Sequence, residues 1–144
     1  MPGAVLFDLD GTLTDPAEGI CGSFRHALAS VGHPVGDEVD LRWMIGPAIV
    51  DNFNRRGVAD GVPRSKAVIV ADALAQLGGP ETARVVMVGD RRHDIEGGRA
   101  NGCPTIAVTW GFAEPGELAR CAPDRVVETP EQLAALLAAW PPTD

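Results

Sequence analysis

The sequence predicts an α/β domain built on a parallel sheet, and three observations carry that expectation. Residues 4–9, 85–88 and 105–108 are short, nearly unbroken apolar runs, as expected of strands covered on both faces. Segments with apolar residues at helical spacing lie between them. Acids and glycines follow the first two runs directly, where parallel sheets gather their ligands.

The elements follow in order. Residues 4–9 form the first strand. Asp15 at the N-cap, Pro16 at the first helical position and Glu18 at the third have the form of a capping box. Ile20, Phe24, Leu28 and Val31 continue that helix, and Gly32 before His33-Pro34 ends it. Residues 37–43 and 48–54 are weaker helical candidates, separated by Gly46-Pro47, and residues 55–63 read as loop. From Ser65 a helix presents Val68, Ile69, Ala73 and Leu77 as its apolar face and stops at Gly78-Gly79-Pro80. The second strand, 85–88, runs into Gly89-Asp90, and a short helix over 94–101 closes at Gly102. Residues 105–108 and 125–127 supply two more strands. Thr129-Pro130-Glu131-Gln132 repeats the capping-box form ahead of a final helix carrying Leu133, Leu136, Leu137 and Trp140.

The totals bound the function classes. A chain of 144 residues fits a single domain, and 45% hydrophobic residues suit a soluble globular protein. A formal charge of −8 argues against nucleic-acid and anionic-membrane partners, which demand clustered Lys and Arg. No apolar stretch reaches the length of a membrane span, and the N-terminus lacks the form of a secretory signal. Cys21, Cys103 and Cys121 show no metal-binding spacing, so three reduced, partly buried thiols in a cytoplasmic protein are expected.

The chemistry lies in the acids. Asp8 and Asp10 stand at the end of the first strand, and Asp90 stands just past the end of the second. If those strands are neighbours the three converge, with Asp94 one turn away. Unit charges about 4 Å apart repel by roughly 4 kcal/mol at an effective dielectric near 20, so such a group needs a cation. Oxygen donors without Cys or His favour Mg²⁺. Arg91, Arg92 and His93 read as a solvated loop face rather than as phosphate ligands.

FDLDGTLTD (residues 7–15), Lys66 and VMVGDRRHD (86–94) resemble the haloacid dehalogenase superfamily, in particular its phosphoglycolate-phosphatase-like branch. Trp110-Gly111-Phe112 and residues 124–133 are similar to the same branch. The resemblance implies a Rossmann-like three-layer α/β/α parallel sheet, here with reduced strand number. Residues 16–64 would be a rudimentary, cap-like helical insertion within one domain, 1–144. It implies an aspartyl-phosphate phosphatase acting on a small phosphorylated metabolite. Asp8 would be the nucleophile, Asp10 the general acid and then base, and Lys66 the group that neutralises phosphoryl charge and orients Asp8. Gly11, Thr12 and Lys66 would bind phosphate. Asp8, Asp90, Asp94 and the backbone carbonyl of Asp10 would hold Mg²⁺.

The likeness covers both ends of the chain and stops in the middle. The branch carries a larger cap and a strand ending in a phosphate-binding Ser or Thr. Here Ser65 is the one Ser in that vicinity, and no β-rich run precedes it. The first strand is therefore expected at a sheet edge, covered by a homodimer or swapped partner, or by residues 37–64. Two functions compete: a Mg²⁺-dependent phosphomonoesterase, and a catalytically impaired remnant that binds Mg²⁺, phosphate or protein. A receiver domain also clusters Asp with Lys, but in a different order along the chain.

Overall fold

The computed structural model describes residues 2–42, 45 and 65–140. It forms two compact units, Met1–Thr14 with Arg64–Asp144, and Asp15–Pro63. No helix among the described residues is long and apolar enough to cross a membrane.

The first unit is a three-layer α/β/α sandwich. Its sheet is parallel, in the order β1 (Ala4–Phe7), β2 (Val85–Gly89), β3 (Thr105–Val108), β4 (Arg125–Val127). Val5 pairs with Val86, Val88 with Ile106 and Ala107 with Val126. Alternation along β2 divides the core. Val86 and Val88 join Ile106, Val108 and Val127 under Leu133 and Trp140, on and just beyond α5 (Pro130–Ala138). Val85 and Met87 face Val70 and Leu74 of α2 (Lys66–Gln76), with Cys103. On α3 (Arg92–Ala100), Ile95 packs with Ala107 and with Cys121 of the short α4 (Glu117–Cys121). The three cysteines are free and buried.

The expected parallel sheet is therefore present, and β1 lies at its edge among the described strands. β1 stops at Phe7 rather than Leu9, although the Asp8 amide still donates to the Val88 carbonyl. The apolar face of α2 differs from expectation. Val70 and Leu74 are buried, while Val68, Ile69 and Leu77 lie outside. Residues 66, 70 and 74 share one helical face, so the inward placement of Lys66 carries Val70 and Leu74 onto the sheet.

In the second unit, α1 (Ala17–Ser30) starts one residue later than expected. Asp15 does not form a capping box; its Oδ1 accepts from the Ala17 amide, 3.2 Å away. The end matches a Schellman motif: His33 donates to Leu28 O and Gly32, at φ +83°, donates to Ala29 O. The helix expected over 37–43 is absent over its described part. The Arg25 guanidinium takes the carbonyls of Gly36, Asp37 and Val39, and Asp40 Oδ1 accepts from the Arg42 amide. Those carbonyls therefore serve the Arg25 side chain, with Gly36 O also closing a single turn onto the Val39 amide, rather than a helical ladder. The candidate helix at 48–54 and the loop at 55–63 lie outside the described residues. At α5, Thr129 Oγ1 accepts from the Gln132 amide as expected, but Gln132 Oε1 reaches back to Glu128 rather than Thr129.

Two glycines test the packing. A Cβ at Gly98 would lie 2.7 Å from Met87 Cβ and 3.0 Å from Thr105 Cγ2, both anchored in the sheet. Gly98→Ala is expected to cost about 1–3 kcal/mol in urea unfolding. Gly22, inside α1, has nothing within 4 Å of a built Cβ. Gly22→Ala is expected to stabilise by roughly 1 kcal/mol through helix propensity.

Candidate active site

The site forms where β1 and β2 end. Because these strands pair in parallel, with Phe7 opposite Val88, Asp8 and Asp90 leave the same end of the sheet. Asp94 comes back to them from the first turn of α3. Oxygens of Asp8, Asp90 and Asp94 lie within 4.8 Å of one another. Lys66 opens α2 because Ser65 caps that helix, accepting from the Val68 amide. Its ammonium then bridges Asp8 Oδ1 at 2.5 Å and Asp94 Oδ1 at 2.8 Å.

Glycines permit this closeness. A Cβ on Gly89 would strike the Asp94 side chain, and one on Gly97 would come within 2.8 Å of Lys66 Cγ. Gly11, at φ +85°, presses against Asp90 Oδ2 and the Phe112 ring. Thr12 is buried, with its hydroxyl 3.5 Å from Asp90 Oδ1 and its carbonyl accepting from Trp110 Nε1 at 3.0 Å. Asp10 is exposed, and its carboxylate stands outside the trio of acids.

Charge governs the protonation of the group. Burial pushes the Asp90 carboxyl up to about 6; the Phe112 amide opposes that, and Asp94 and Asp8 add to it. Asp94 is raised, chiefly by burial, with Lys66 opposing and Asp8 adding. Burial lowers the affinity of Lys66 for its proton, but Asp94 and Asp8 together outweigh it and hold the ammonium above its usual range.

The acids fit a small hard cation. Oxygens on an octahedral Mg²⁺ lie ~3 Å or ~4.2 Å apart, and three carboxylates with oxygens within 4.8 Å of one another can close on such an ion. The high proton affinity of Asp90 marks a buried carboxylate that gains from such a charge.

Two features went unread in the sequence. Arg91, expected in solvent, is buried, and its Nε donates to Glu117 Oε1 at 2.8 Å. The Phe112 amide donates to Asp90 Oδ2 at 2.6 Å. A charged residue directly after Asp90 and an acid at the start of a weak helix were the available signals. Neither discloses a partner 26 positions away.

A folded carboxyl raised to about 6 binds its proton more tightly than the unfolded one, so its ionisation destabilises the fold as pH rises from 4 to 7. Keeping Asp90 ionised at neutral pH therefore works against the metal-free fold. In EDTA at pH 7.5, Asp90→Asn is expected to raise the urea midpoint, and wild type to gain stability as pH falls toward 5. Mg²⁺ is expected to stabilise wild type and leave Asp90→Asn nearly unmoved. An Asp90→Asn variant less stable than wild type in EDTA would contradict this electrostatic account.

The chain is similar to known proteins in sequence and in fold. The model of the HAD-hydrolase-like family matches residues 61–133, about half of the chain. The tyrosine-protein kinase PtkA of Mycobacterium tuberculosis is 31% identical over 185 aligned positions, covering 77% of this chain and 63% of the kinase. Its solved structure superposes with a TM-score of 0.69 at 27% identity, covering 94% of this chain and 98% of that one. The phosphoglycolate phosphatase of Synechococcus elongatus is 42% identical over 64 residues, 42% of this chain and 30% of the phosphatase. A haloacid dehalogenase-like hydrolase from Streptococcus pneumoniae shares the fold, with a TM-score of 0.76 at 21% identity, covering 92% of this chain and 96% of that one. The chain thus spans less than two thirds of the mycobacterial kinase. An alignment of 185 positions also exceeds 144 residues, so that relative holds residues this chain lacks. A parallel sheet with its acids at the strand ends and a family match across Lys66, Asp90 and Asp94 together place the chain in the HAD-hydrolase-like family of the haloacid dehalogenase superfamily.

Proposed function

We infer that the protein is a Mg²⁺-dependent phosphomonoesterase that works through an aspartyl-phosphate on Asp8. The observation that carries this reading is the Lys66 ammonium shared between Asp8 and Asp94, with Asp90 beside them. Lys66 occupies Asp8 Oδ1 and orients the carboxylate, and the other oxygen attacks phosphorus. The new Asp8–phosphorus bond forms as the ester oxygen departs, taking a proton from Asp10. Asp10 suits this exchange because it follows Asp8 by two residues, is exposed and stays outside the trio. It then removes a proton from water, whose attack on phosphorus frees Asp8 and releases phosphate. Lys66 and the Gly11–Thr12 segment hold the phosphoryl oxygens. Asp8, Asp90, Asp94 and the Asp10 carbonyl would hold Mg²⁺, which would supply the positive charge that a phosphate dianion needs among carboxylates.

The substrate class is a small phosphorylated metabolite of the phosphoglycolate kind, with broad and weak turnover. The longer alignment of the relatives supports that breadth, since a chain with fewer residues has fewer with which to enclose its substrate. The same observation favours a second reading, an impaired module that binds Mg²⁺ or phosphate without turnover.

Phosphate release from a panel of phosphorylated metabolites discriminates the two. A phosphotyrosyl peptide belongs in that panel because one relative is a tyrosine-protein kinase. Wild type with Mg²⁺ is expected to release phosphate, with Asp8→Asn at least 10³-fold slower and EDTA abolishing the reaction. Equal rates from wild type and Asp8→Asn would leave the binding module.

Self-association is part of this proposal. β1 pairs with β2 alone among the described strands, and Phe7 beside its end is 40% exposed. A second copy, docked or swapped, covers this edge. Light scattering is expected to give a dimer, and Phe7→Lys a larger monomer fraction. A wild-type monomer at micromolar concentration overturns the dimer.

A further inference from the structure

We propose that Glu117 is a positioning residue for Asp90, acting through the loop between β3 and α4; the inference deepens the metal-site reading above and rests on it.

Glu117 is buried at the start of a helix only five residues long, where an apolar side chain would pack at lower cost. Its carboxylate bonds both to a separate segment and to the loop just before it. Oε1 accepts from Arg91 Nε at 2.8 Å and from the Arg92 amide at 2.7 Å, the first residues after Asp90. Oε2 accepts from the Glu114 amide at 2.9 Å, inside the loop. One carboxylate therefore joins the head of α3 to the loop that follows β3.

That loop touches Asp90 directly. The Phe112 amide holds Asp90 Oδ2 at 2.6 Å, and Gly111 leaves no room for a Cβ against the same carboxyl. From the loop's other end, Trp110 Nε1 holds the Thr12 carbonyl, while the Thr12 hydroxyl faces Asp90 Oδ1. The Asp90 carboxylate is thus set from both sides, and its aim depends on where residues 110–114 lie. Glu117 fixes that position from outside the acid cluster. Its charge is matched by Arg91, so it adds no net negative charge near the site.

Glu117→Gln keeps the shape of the side chain but replaces one acceptor with a donor that faces an N–H group. The assay uses the full chain and Mg²⁺ alone, without substrate. Thermal shift titrations are expected to show Glu117→Gln needing about tenfold more Mg²⁺ for half-maximal stabilisation. The Phe112 amide proton, far downfield against a carboxylate, is expected to move upfield in the same variant without metal. Gly111→Ala provides a second route if Glu117→Gln fails to fold, because it displaces the Asp90 carboxyl without touching the ion pair. It is expected to weaken Mg²⁺ response to a similar degree. A folded Glu117→Gln or Gly111→Ala with wild-type Mg²⁺ response and an unmoved Phe112 amide overturns the positioning role. A wild type that ignores Mg²⁺ overturns the metal reading, and this inference with it.

Discussion

The contact on which the first unit turns is the Lys66 ammonium between Asp8 and Asp94. It ties three elements whose sequence positions are far apart: the end of β1, the first turn of α2 and the first turn of α3. A lysine in that position cannot be exchanged for an apolar residue, because two carboxylates would then face each other in a partly dry site. The bridge also sets the rotation of α2. With Lys66 turned inward, Val70 and Leu74 meet the sheet, and the equally apolar Val68 and Ile69 stay in solvent. An electrostatic constraint at one end of the helix thereby chooses its packing face.

Around that bridge, burial and charge act against one another. Asp90 is wholly enclosed, and enclosure disfavours its ionised form more than the Phe112 amide favours it. The ionised form of Asp90 is therefore disfavoured, and a divalent cation among the three acids would offset that. Close approach comes from absent side chains: Gly11, Gly89 and Gly111 each leave the space that an Asp carboxyl fills. The Arg91–Glu117 pair stands apart from this tension. Glu117 lies below its usual range because, although burial raises it, the Arg91 guanidinium and the Arg92 and Glu114 amides outweigh that effect. A charge-matched pair beside a cluster with more carboxylates than cations is the arrangement expected when one holds the geometry and the other performs chemistry.

The sequence and the structure agree most closely where spacing is short. Strand runs of four or five apolar residues, the Thr129 cap, the Gly32 helix stop and the acids at strand ends are all local patterns. Parallel pairing of the half-buried β1 with the fully buried β2 then brings Asp8 to Asp90. Disagreements arise where a distant group takes over a local one. Asp37 begins a plausible helix by composition, but the Arg25 guanidinium claims the carbonyls that such a helix would need. Arg91 looks like a surface residue until Glu117 arrives beside it.

What the sequence determined by itself is the class of chemistry. Asp8, Asp10, Asp90 and Asp94 with Lys66 follow strand and helix signals strong enough to place most of them at one end of a parallel sheet, and oxygen donors alone point to a hard cation. Only the tertiary structure decided which carboxylates form the trio, which face α2 buries, and that the loop carrying Phe112 reaches Asp90. The physical reason is range. Backbone propensity and periodicity act over a few residues, whereas a buried charge is stabilised by whichever partner the fold brings within about 3 Å, however distant along the chain.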